Sequence, residues 1–245
     1  MNSNEQNKKA EAAFFDNYGL NAEYDVLSEQ AYSRIIGEFV KHIDLSVPNQ
    51  KVIDLGCGTG AFISRFSQLP FIRYGMDISP NCIHFARNTY KDVVFDIGDI
   101  EKTKYPDETF DAVFLSGVLH HFPDLKNVVK ESFRILKKGG VLLAYDPHKK
   151  NPFMWLYRCK ASPLYSSKGV TINEEPLGKE DVVSTLEKFS FSQYAVYSIS
   201  GITYKALKSG YAMWLLPLYN LIERILGFKP IGKIFGSFII TYAKK

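Results

Sequence analysis

A short glycine-rich stretch constrains this chain more than any other feature. Residues 52–62 read VIDLGCGTGAF, so letters typical of a buried strand run directly into Gly56, Gly58 and Gly60. Glycine adopts left-handed backbone conformations without strain and lets a ligand approach the main chain closely. The stretch therefore predicts a strand that ends in a ligand-binding turn.

The spacing of these glycines excludes two common nucleotide-binding loops. A dinucleotide fingerprint requires G-x-G-x-x-G, and a Walker phosphate loop requires G-x-x-x-x-G-K-[ST]. This chain has G-x-G-x-G, and no lysine follows the glycines. Asp54 lies in the strand just before the turn, where its carboxylate would repel a pyrophosphate and suits a cationic or amino-bearing ligand.

Apolar runs alternate with helical patterns along most of the chain. We predict strands near 51–55, 72–77, 93–96, 110–116, 140–146, 192–200 and 236–243, and helices over 27–43, 60–68, 80–89, 124–137 and 179–189. This alternation is typical of a mostly parallel sheet with helices on both faces. Residues 1–245 are therefore expected to form a single α/β domain.

The composition favours a cytoplasmic protein. Of the 245 residues, 46% are hydrophobic and 23% are charged, which is ordinary for a soluble domain. The first ten residues, MNSNEQNKKA, lack the apolar stretch of a secretory signal. Cys57, Cys82 and Cys159 form no CxxC pair, which indicates a reducing compartment and predicts neither a disulfide frame nor a metal site.

Several motifs, in order, resemble those of the class I S-adenosylmethionine-dependent methyltransferases. VIDLGCGTG is similar to the first motif of that family, while FDAVFLSGVLHHFPD (110–124) and ILKKGGVLLAYD (135–146) resemble its fourth-strand motif and the turn into its fifth strand. The resemblance is closest over 50–146. It implies a Rossmann-like seven-stranded sheet with an antiparallel last strand, S-adenosyl-L-methionine as cofactor and S-adenosyl-L-homocysteine as product.

The resemblance also implies a cofactor-binding role for particular residues. Asp77 would accept from both ribose hydroxyls, and Asp99 would accept from the adenine amino group while Ile100 packs on the ring. Ser116 and Gly117 would lie beside the methionine part. The full set is Asp54, Gly56, Cys57, Gly58, Gly60, Asp77, Ile78, Asp99, Ile100, Ser116, Gly117 and, from an N-terminal segment that resembles a cofactor lid, Tyr24.

Some of these residues have a simpler alternative role. Asp54 and Asp99 could each cap a loop. Cys57 is expected to fill a small space and not to act as a nucleophile. Ligand contact remains the prediction for the two carboxylates because they occupy matched motif positions.

Two segments, 147–178 and 201–235, interrupt the alternation. In the implied topology both rise from the edge of the sheet where the parallel strands end, and open α/β sheets bind their ligands at that edge. We therefore predict that the two segments form one lid that selects the acceptor. Residues 1–48 are predicted to form an N-terminal helical lid over the cofactor-binding half, 49–146.

The composition of the two segments favours a small-molecule or lipid-like acceptor. Range 147–170 interleaves five Lys/Arg with aromatic residues and has no acid, and range 211–228 carries a helical face of Trp214, Leu218, Leu221, Ile222 and Ile225. The uncharged run 211–222 is too short to span a bilayer. Peripheral membrane contact through both ranges is one interpretation, and a helix hairpin packed on the domain is the other.

A catalytic base is needed only if the acceptor loses a proton during methyl transfer. His148, after the fifth strand, and His121, after the fourth, are the candidate bases, although a structural role fits the His120–His121 pair equally well. Two alternative functions stay open: an RNA or other nucleic-acid methyltransferase, and a non-catalytic cofactor-binding or membrane-associated regulatory protein. Nucleic acid is disfavoured because the net charge is only +4. The acceptor atom and the oligomeric state are left open.

Overall fold

The computed structural model describes residues 7–18, 25–165, 170–206, 210–227 and 232–245. Seven strands form one sheet in the order β3-β2-β1-β4-β5-β7-β6. The strands are β1 (Gln50–Leu55), β2 (Phe71–Asp77), β3 (Val93–Ile97), β4 (Phe110–Ser116), β5 (Leu136–Pro147), β6 (Gln193–Ile199) and β7 (Phe238–Lys244). Strands β1 to β5 pair in parallel, and β7 runs antiparallel to both β5 and β6. This confirms the predicted sheet and its antiparallel last strand.

Helices cover both faces of the sheet and extend beyond its carboxyl edge. They are α1 (Lys8–Tyr18), α2 (Glu29–Val40), α3 (Ala61–Ser64), α4 (Pro80–Thr89), α5 (Lys126–Ile135), α6 (Pro152–Arg158), α7 (Lys179–Leu186), α8 (Gly210–Leu226) and α9 (Gly232–Phe235). A 3₁₀ turn spans Leu119–His121. The helix predicted at 60–68 is the short α3. It ends at Ser64, after which the amides of Arg65, Phe66 and Ser67 each donate to the carbonyl three residues back, as in a 3₁₀ turn.

The core lies on both faces of the parallel strands. One face is aromatic, with Phe39 of α2 packed at 5.4 Å, ring centroid to centroid, from Phe114 of β4. The other is aliphatic and includes Ile53 and Leu55 of β1, both fully buried. Strands covered on both sides read as nearly continuous apolar runs, and for this reason they were visible in the sequence.

The two segments outside the alternation pack on each other. Asn151 caps α6 by accepting from the amides of Phe153 and Met154, both at 3.0 Å, and its side-chain amide donates to the Phe235 carbonyl at 2.8 Å. The Phe153 ring also lies 5.3 Å from that of Tyr219 on α8. Among the residues that the structure describes, no helix is long and apolar enough to cross a membrane.

Candidate functional site

The turn after β1 requires its glycines for different reasons. Gly56, Gly58 and Gly60 have φ of 77°, 52° and 79°, in the left-handed region that disfavours other residues. A Cβ at Gly56 would lie 2.4 Å from a methyl of Val118, and one at Gly60 would lie 2.7 Å from the Phe95 ring. Gly56 therefore keeps the turn against the loop after β4, and Gly60 keeps α3 against β3.

Asp77 fixes this turn from the end of β2. Its carboxylate accepts from the amide of Gly58 at 2.8 Å and from the amide of Ser79 at 2.9 Å. Burial raises the pKa of Asp77, although the two amides oppose that effect. Each carboxylate oxygen can accept a second hydrogen bond, so Asp77 retains acceptor capacity for a ligand.

Two adjoining cavities lie at the carboxyl edge of the sheet. The β2-side cavity is lined by Asp77, Ile78, Asp99, Ile100, Val118 and Phe122, among others. The insertion-side cavity is lined by Tyr145, Met154, Tyr157, Arg158, Glu174 and Tyr204, among others. Phe15, Gly56, Gly117 and His121 line both. The two cavities therefore meet at the glycine turn.

Helix α1 closes the β2-side cavity from above. Its Lys8 forms an ion pair with Asp99 at 2.6 Å, and its Asp16 accepts from the Ser79 hydroxyl at 2.6 Å. Asp99 also accepts from the Glu101 amide at 2.9 Å, so it caps a turn and lines the cavity at once. The predicted lid residue Tyr24 lies outside the described residues.

Asp54 lies behind the cavity wall. Its carboxylate is fully buried and accepts from the Ser116 hydroxyl at 2.6 and 2.8 Å, one distance to each oxygen. Burial raises its pKa to about 7, and the nearby Asp77 carboxylate adds to the rise. Asp54 is not among the described residues that line either cavity, whereas Ser116 lines the insertion-side cavity. A contact between Asp54 and a ligand would pass through Ser116 or the loop.

The other predicted residues divide into two groups. Cys57 is 7% exposed, and burial holds the pKa of its thiol well above the ordinary value, which is unsuited to a nucleophile. His148 is fully buried, with its Nδ1 2.9 Å from the Gly236 carbonyl, and it is not among the described residues lining either cavity. The structure therefore does not bring His148 to the site, whereas it places His121 at the junction of both cavities.

A buried polar cluster forms the wall between the cavities. His120 Nδ1 lies 2.8 Å from Asp146 Oδ1, and the His120 amide donates to the same oxygen at 3.0 Å. His121 Nδ1 lies 3.1 Å from Thr171 Oγ1 and 3.5 Å from Glu11 Oε2. The cluster thus joins α1, the turn after β4, the end of β5 and segment 147–178.

The two histidines of this cluster have opposite electrostatic environments. Burial, reinforced by the neighbouring His121, lowers the pKa of His120 to about 3. Burial opposes protonation of His121 as well, but the carboxylates of Glu11, Glu174 and Asp146 together raise its pKa. Protonation is therefore easier at His121 than at His120, and the base role of His121 stays a prediction.

The wall also contains a buried ion pair. Arg158 Nη1 of α6 donates to Glu174 Oε1 at 2.8 Å. The arginine lowers the pKa of Glu174, although burial alone would raise it. Arg158 is therefore paired within the wall, and its charge does not contribute to an exposed basic surface.

Helix α8 combines a packed face with an exposed apolar face. Tyr219 and Glu223 are buried, and the Tyr219 hydroxyl donates to the Ile202 carbonyl at 3.2 Å. Large apolar side chains on the same helix are exposed: Trp214 (87%), Leu215, Leu218, Leu221 and Ile225. One face of α8 therefore packs on the domain, and the opposite face is exposed.

Several wall residues were not predicted from the sequence. Glu11, Arg158 and Glu174 stand in no recognisable motif, and they meet only through packing of distant segments. Asp146 carried a usable signal, because it lies near the carboxyl end of β5, where ligands of α/β sheets bind.

Comparison with known proteins agrees with this geometry. Residues 53–144 match a family model described as a methyltransferase domain. The malonyl-[acyl-carrier protein] O-methyltransferase of Serratia marcescens is 31% identical over 137 residues, which are 56% of this chain and 52% of that protein. The demethylmenaquinone methyltransferase of Chlorobaculum parvum is 32% identical over 106 residues, 42% of this chain and 44% of that protein. The chain thus spans about half the length of these curated relatives.

The fold extends over almost the whole chain. The geranyl diphosphate C-methyltransferase of Streptomyces coelicolor, solved with Mg²⁺, geranyl diphosphate and S-adenosyl-L-homocysteine, superposes with a TM-score of 0.62 at 15% identity, covering 97% of each chain. Residues 53–144 thus match a methyltransferase domain, and the seven-stranded sheet has the Rossmann-like fold of the class I S-adenosylmethionine-dependent methyltransferases.

Proposed function

We propose that this protein transfers a methyl group from S-adenosyl-L-methionine to a small-molecule or lipid-like acceptor. The β2-side cavity would hold the nucleoside, and the insertion-side cavity would hold the acceptor. The observation that carries this proposal is that the two cavities share Gly56, Gly117 and His121. A ligand in one cavity can therefore reach a ligand in the other.

The residues of the β2-side cavity fit the cofactor. Asp77 offers a buried carboxylate with spare acceptor capacity, and Ile78 and Ile100 offer apolar contact for a flat base. Gly56 has no side chain where the turn meets both cavities, so its backbone is open to close approach. When bound, the cofactor supplies a sulfonium methyl group that is already activated for transfer.

The insertion-side cavity fits an acceptor with a large apolar part. Tyr145, Met154, Tyr157 and Tyr204 give it aromatic and apolar wall area, and polar residues such as His120 also line it. Such a wall orients an acceptor and excludes water, and these two effects supply most of what methyl transfer needs from a protein. The two curated relatives named above, a malonyl-[acyl-carrier protein] O-methyltransferase and a demethylmenaquinone methyltransferase, support this class of acceptor.

The activity can be tested without knowledge of the acceptor. Purified protein would be incubated with methyl-tritiated cofactor and, separately, with organic-soluble metabolites, membrane lipids and total RNA. We expect label in the organic or lipid fraction, and its loss in Asp77→Ala. Label in RNA alone would favour the nucleic-acid alternative, and cofactor binding without labelling of any fraction would favour a non-catalytic protein.

We further propose that helix α8 lies on a membrane surface, with 147–170 contributing Trp155 and Leu164. This is supported by the exposed apolar face that includes Trp214 and Leu218, beside the exposed Arg224. Its test is co-sedimentation with vesicles that contain anionic lipid. The double substitution Trp214→Glu and Leu218→Glu should abolish sedimentation.

The matched control for this test lies on edge strand β3. Val94→Glu and Ile97→Glu introduce the same charges at exposed apolar positions, 50% and 43% accessible, away from α8. Sedimentation that is equal for both double variants, or absent in the wild type, would contradict the membrane proposal.

A further inference from the structure

We propose that His120, His121 and Glu174 form a binding site for a first-row transition-metal dication such as Zn²⁺, in the wall between the two cavities. One ring nitrogen of each histidine and one carboxylate oxygen of Glu174 lie within 4.8 Å of one another. His120 Nε2 and Glu174 Oε1 are 3.9 Å apart. Zinc binds such atoms at about 2.0–2.2 Å, so small side-chain movements would bring all three into coordination.

The surrounding hydrogen bonds already orient the first of these ligands. His120 uses Nδ1 toward the Asp146 carboxylate at 2.8 Å, which directs its Nε2 toward Glu174. A carboxylate on the far nitrogen is the usual support of a metal-bound histidine. Thr171 and Glu11 lie similarly close to Nδ1 of His121.

The charge of the cluster also points to a cation. The carboxylates of Glu11, Asp146 and Glu174 carry three formal negative charges against the single guanidinium of Arg158. A proton on His121 balances one of the two that remain, and a dication that displaces this proton would balance both. Asp146 and Glu11 are 1% and 2% exposed, and within the described part of the chain Asp146 Oδ2 has no hydrogen-bond partner, while Glu11 Oε2 lies 3.5 Å from His121 Nδ1. Buried carboxylates without full pairing are costly unless a counter-charge is present.

Arg158 is the competing partner in this cluster. Its guanidinium holds Glu174 Oε1, and Glu174 Oε2 accepts from the Thr171 amide at 3.3 Å, a long hydrogen bond that is readily exchanged. Two imidazoles and one carboxylate suit zinc, cobalt or iron, whereas magnesium and calcium prefer all-oxygen sites. The alternative is a salt-bridge network that binds no metal, and the experiment must distinguish this network from a metal site.

A bound dication would also narrow the acceptor class, an extension that rests on the proposed function. His120 and Glu174 line the insertion-side cavity, where that function places the acceptor. A dication with an open coordination position there would hold an oxygen of the acceptor and lower the pKa of a hydroxyl. We infer that the acceptor presents an oxygen at this wall.

The test is calorimetric titration of chelator-treated protein with Zn²⁺, Co²⁺ and Mg²⁺, together with the visible absorption of the Co²⁺-loaded protein. We expect one equivalent of Zn²⁺ or Co²⁺ to bind, and no Mg²⁺. Glu174→Gln and His120→Gln should weaken binding at least 100-fold. Asp146→Asn, which alters only a positioning residue, should weaken it about 10- to 100-fold.

Controls keep this test independent of folding and of the proposed function. His84→Gln removes an exposed histidine on α4 and should leave metal affinity unchanged. Each variant would also be titrated with S-adenosyl-L-methionine. Cofactor binding without metal binding in the wild type, or equal metal affinity in all variants, would overturn the metal site alone. Metal binding without cofactor binding would overturn the proposed function and leave the site standing.

Discussion

The two cavities are built in different ways. The β2-side cavity takes most of its wall from the loops that follow consecutive strands, so residues such as Gly56, Asp77 and Asp99 are set by local sequence. The insertion-side cavity takes its wall from segments far apart in the chain, as the ion pair of Arg158 with Glu174 and the nearby Tyr204 illustrate. The difference teaches that a local motif fixes the β2-side cavity, whereas packing of distant segments fixes the insertion-side cavity.

The largest effect, on the free energy of unfolding, is expected at the insertion-side cavity. Arg158→Met leaves Glu174, 9% exposed, without its partner, and loss of one member of a buried pair costs about 3–5 kcal/mol of unfolding free energy. Cofactor affinity should change less than about twofold, because Arg158 lines only the insertion-side cavity. Denaturant unfolding and calorimetry would measure the two quantities.

The matched control for Arg158 is an exposed ion pair. Lys150→Met breaks the pair with Glu180, in which both side chains are about 60% exposed, and should cost less than about 1 kcal/mol. Equal destabilisation by the two substitutions would show that the buried pair does not stabilise the wall of the insertion-side cavity.

A smaller effect on stability, with a large effect on cofactor binding, is expected at the glycine turn. Gly56→Ala combines a left-handed φ with a Cβ that would lie 2.4 Å from Val118. Overpacking costs about 1–3 kcal/mol. A loss of this size in binding free energy lowers the cofactor affinity about 10- to 100-fold. Gly139→Ala has the same backbone strain, φ 79°, with open space around the Cβ, and should keep full affinity. Loss of affinity in both variants would contradict a specific role for the turn.

Substitution of Asp77 should have a similar but slightly smaller effect on cofactor affinity. Asp77→Ala removes the acceptor of the Gly58 amide and of the ligand hydroxyls, and a lost charged hydrogen-bond partner costs about 1–3 kcal/mol of binding free energy. Asp111→Ala is the control, since Asp111 also accepts a backbone amide, that of Lys51 at 2.8 Å, away from both cavities. Titration calorimetry should show weakened cofactor binding for the first variant only.

Asp54 predicts a pH dependence of about 1 kcal/mol. The unfolded chain releases this proton near 3.8 and the folded protein near 7, so the folded state holds more protons in that window and stability falls as the pH rises. Between pH 6 and 8 the wild type should lose about 1 kcal/mol of unfolding free energy relative to Asp54→Asn, which lacks the titrating group. Chemical denaturation at both values measures this difference; parallel pH curves would show that Asp54 ionises normally.

The sequence predicted the sheet and much of the lining of the β2-side cavity for a physical reason. Buried parallel strands leave continuous apolar runs, and a turn such as that at Gly56 permits few residues, so both leave a local signature. Local sequence did not predict the direction of two side chains: Asp54 accepts from Ser116, and the His148 ring lies against the Gly236 carbonyl. In both cases the residue lies at the expected strand end, but its side chain packs inward.

The lining of the insertion-side cavity could not be predicted in the same way. Glu11 and Glu174 are separated by most of the chain and approach His121 only after α1 and segment 147–178 have packed on the sheet. The predicted N-terminal helical lid, 1–48, contains α1, but the bounds of this helix were not predicted because its stability comes from contacts such as that of Asp16 with Ser79. Such long-range contacts leave no periodic pattern.

The most direct test of the central claim is calorimetric titration of the purified protein with S-adenosyl-L-methionine and S-adenosyl-L-homocysteine, with NAD as the control ligand. We expect both sulfur compounds to bind with one-to-one stoichiometry and micromolar affinity, and NAD to give no heat. A folded protein that binds neither compound, or that binds NAD equally well, would contradict the assignment of the β2-side cavity to this cofactor.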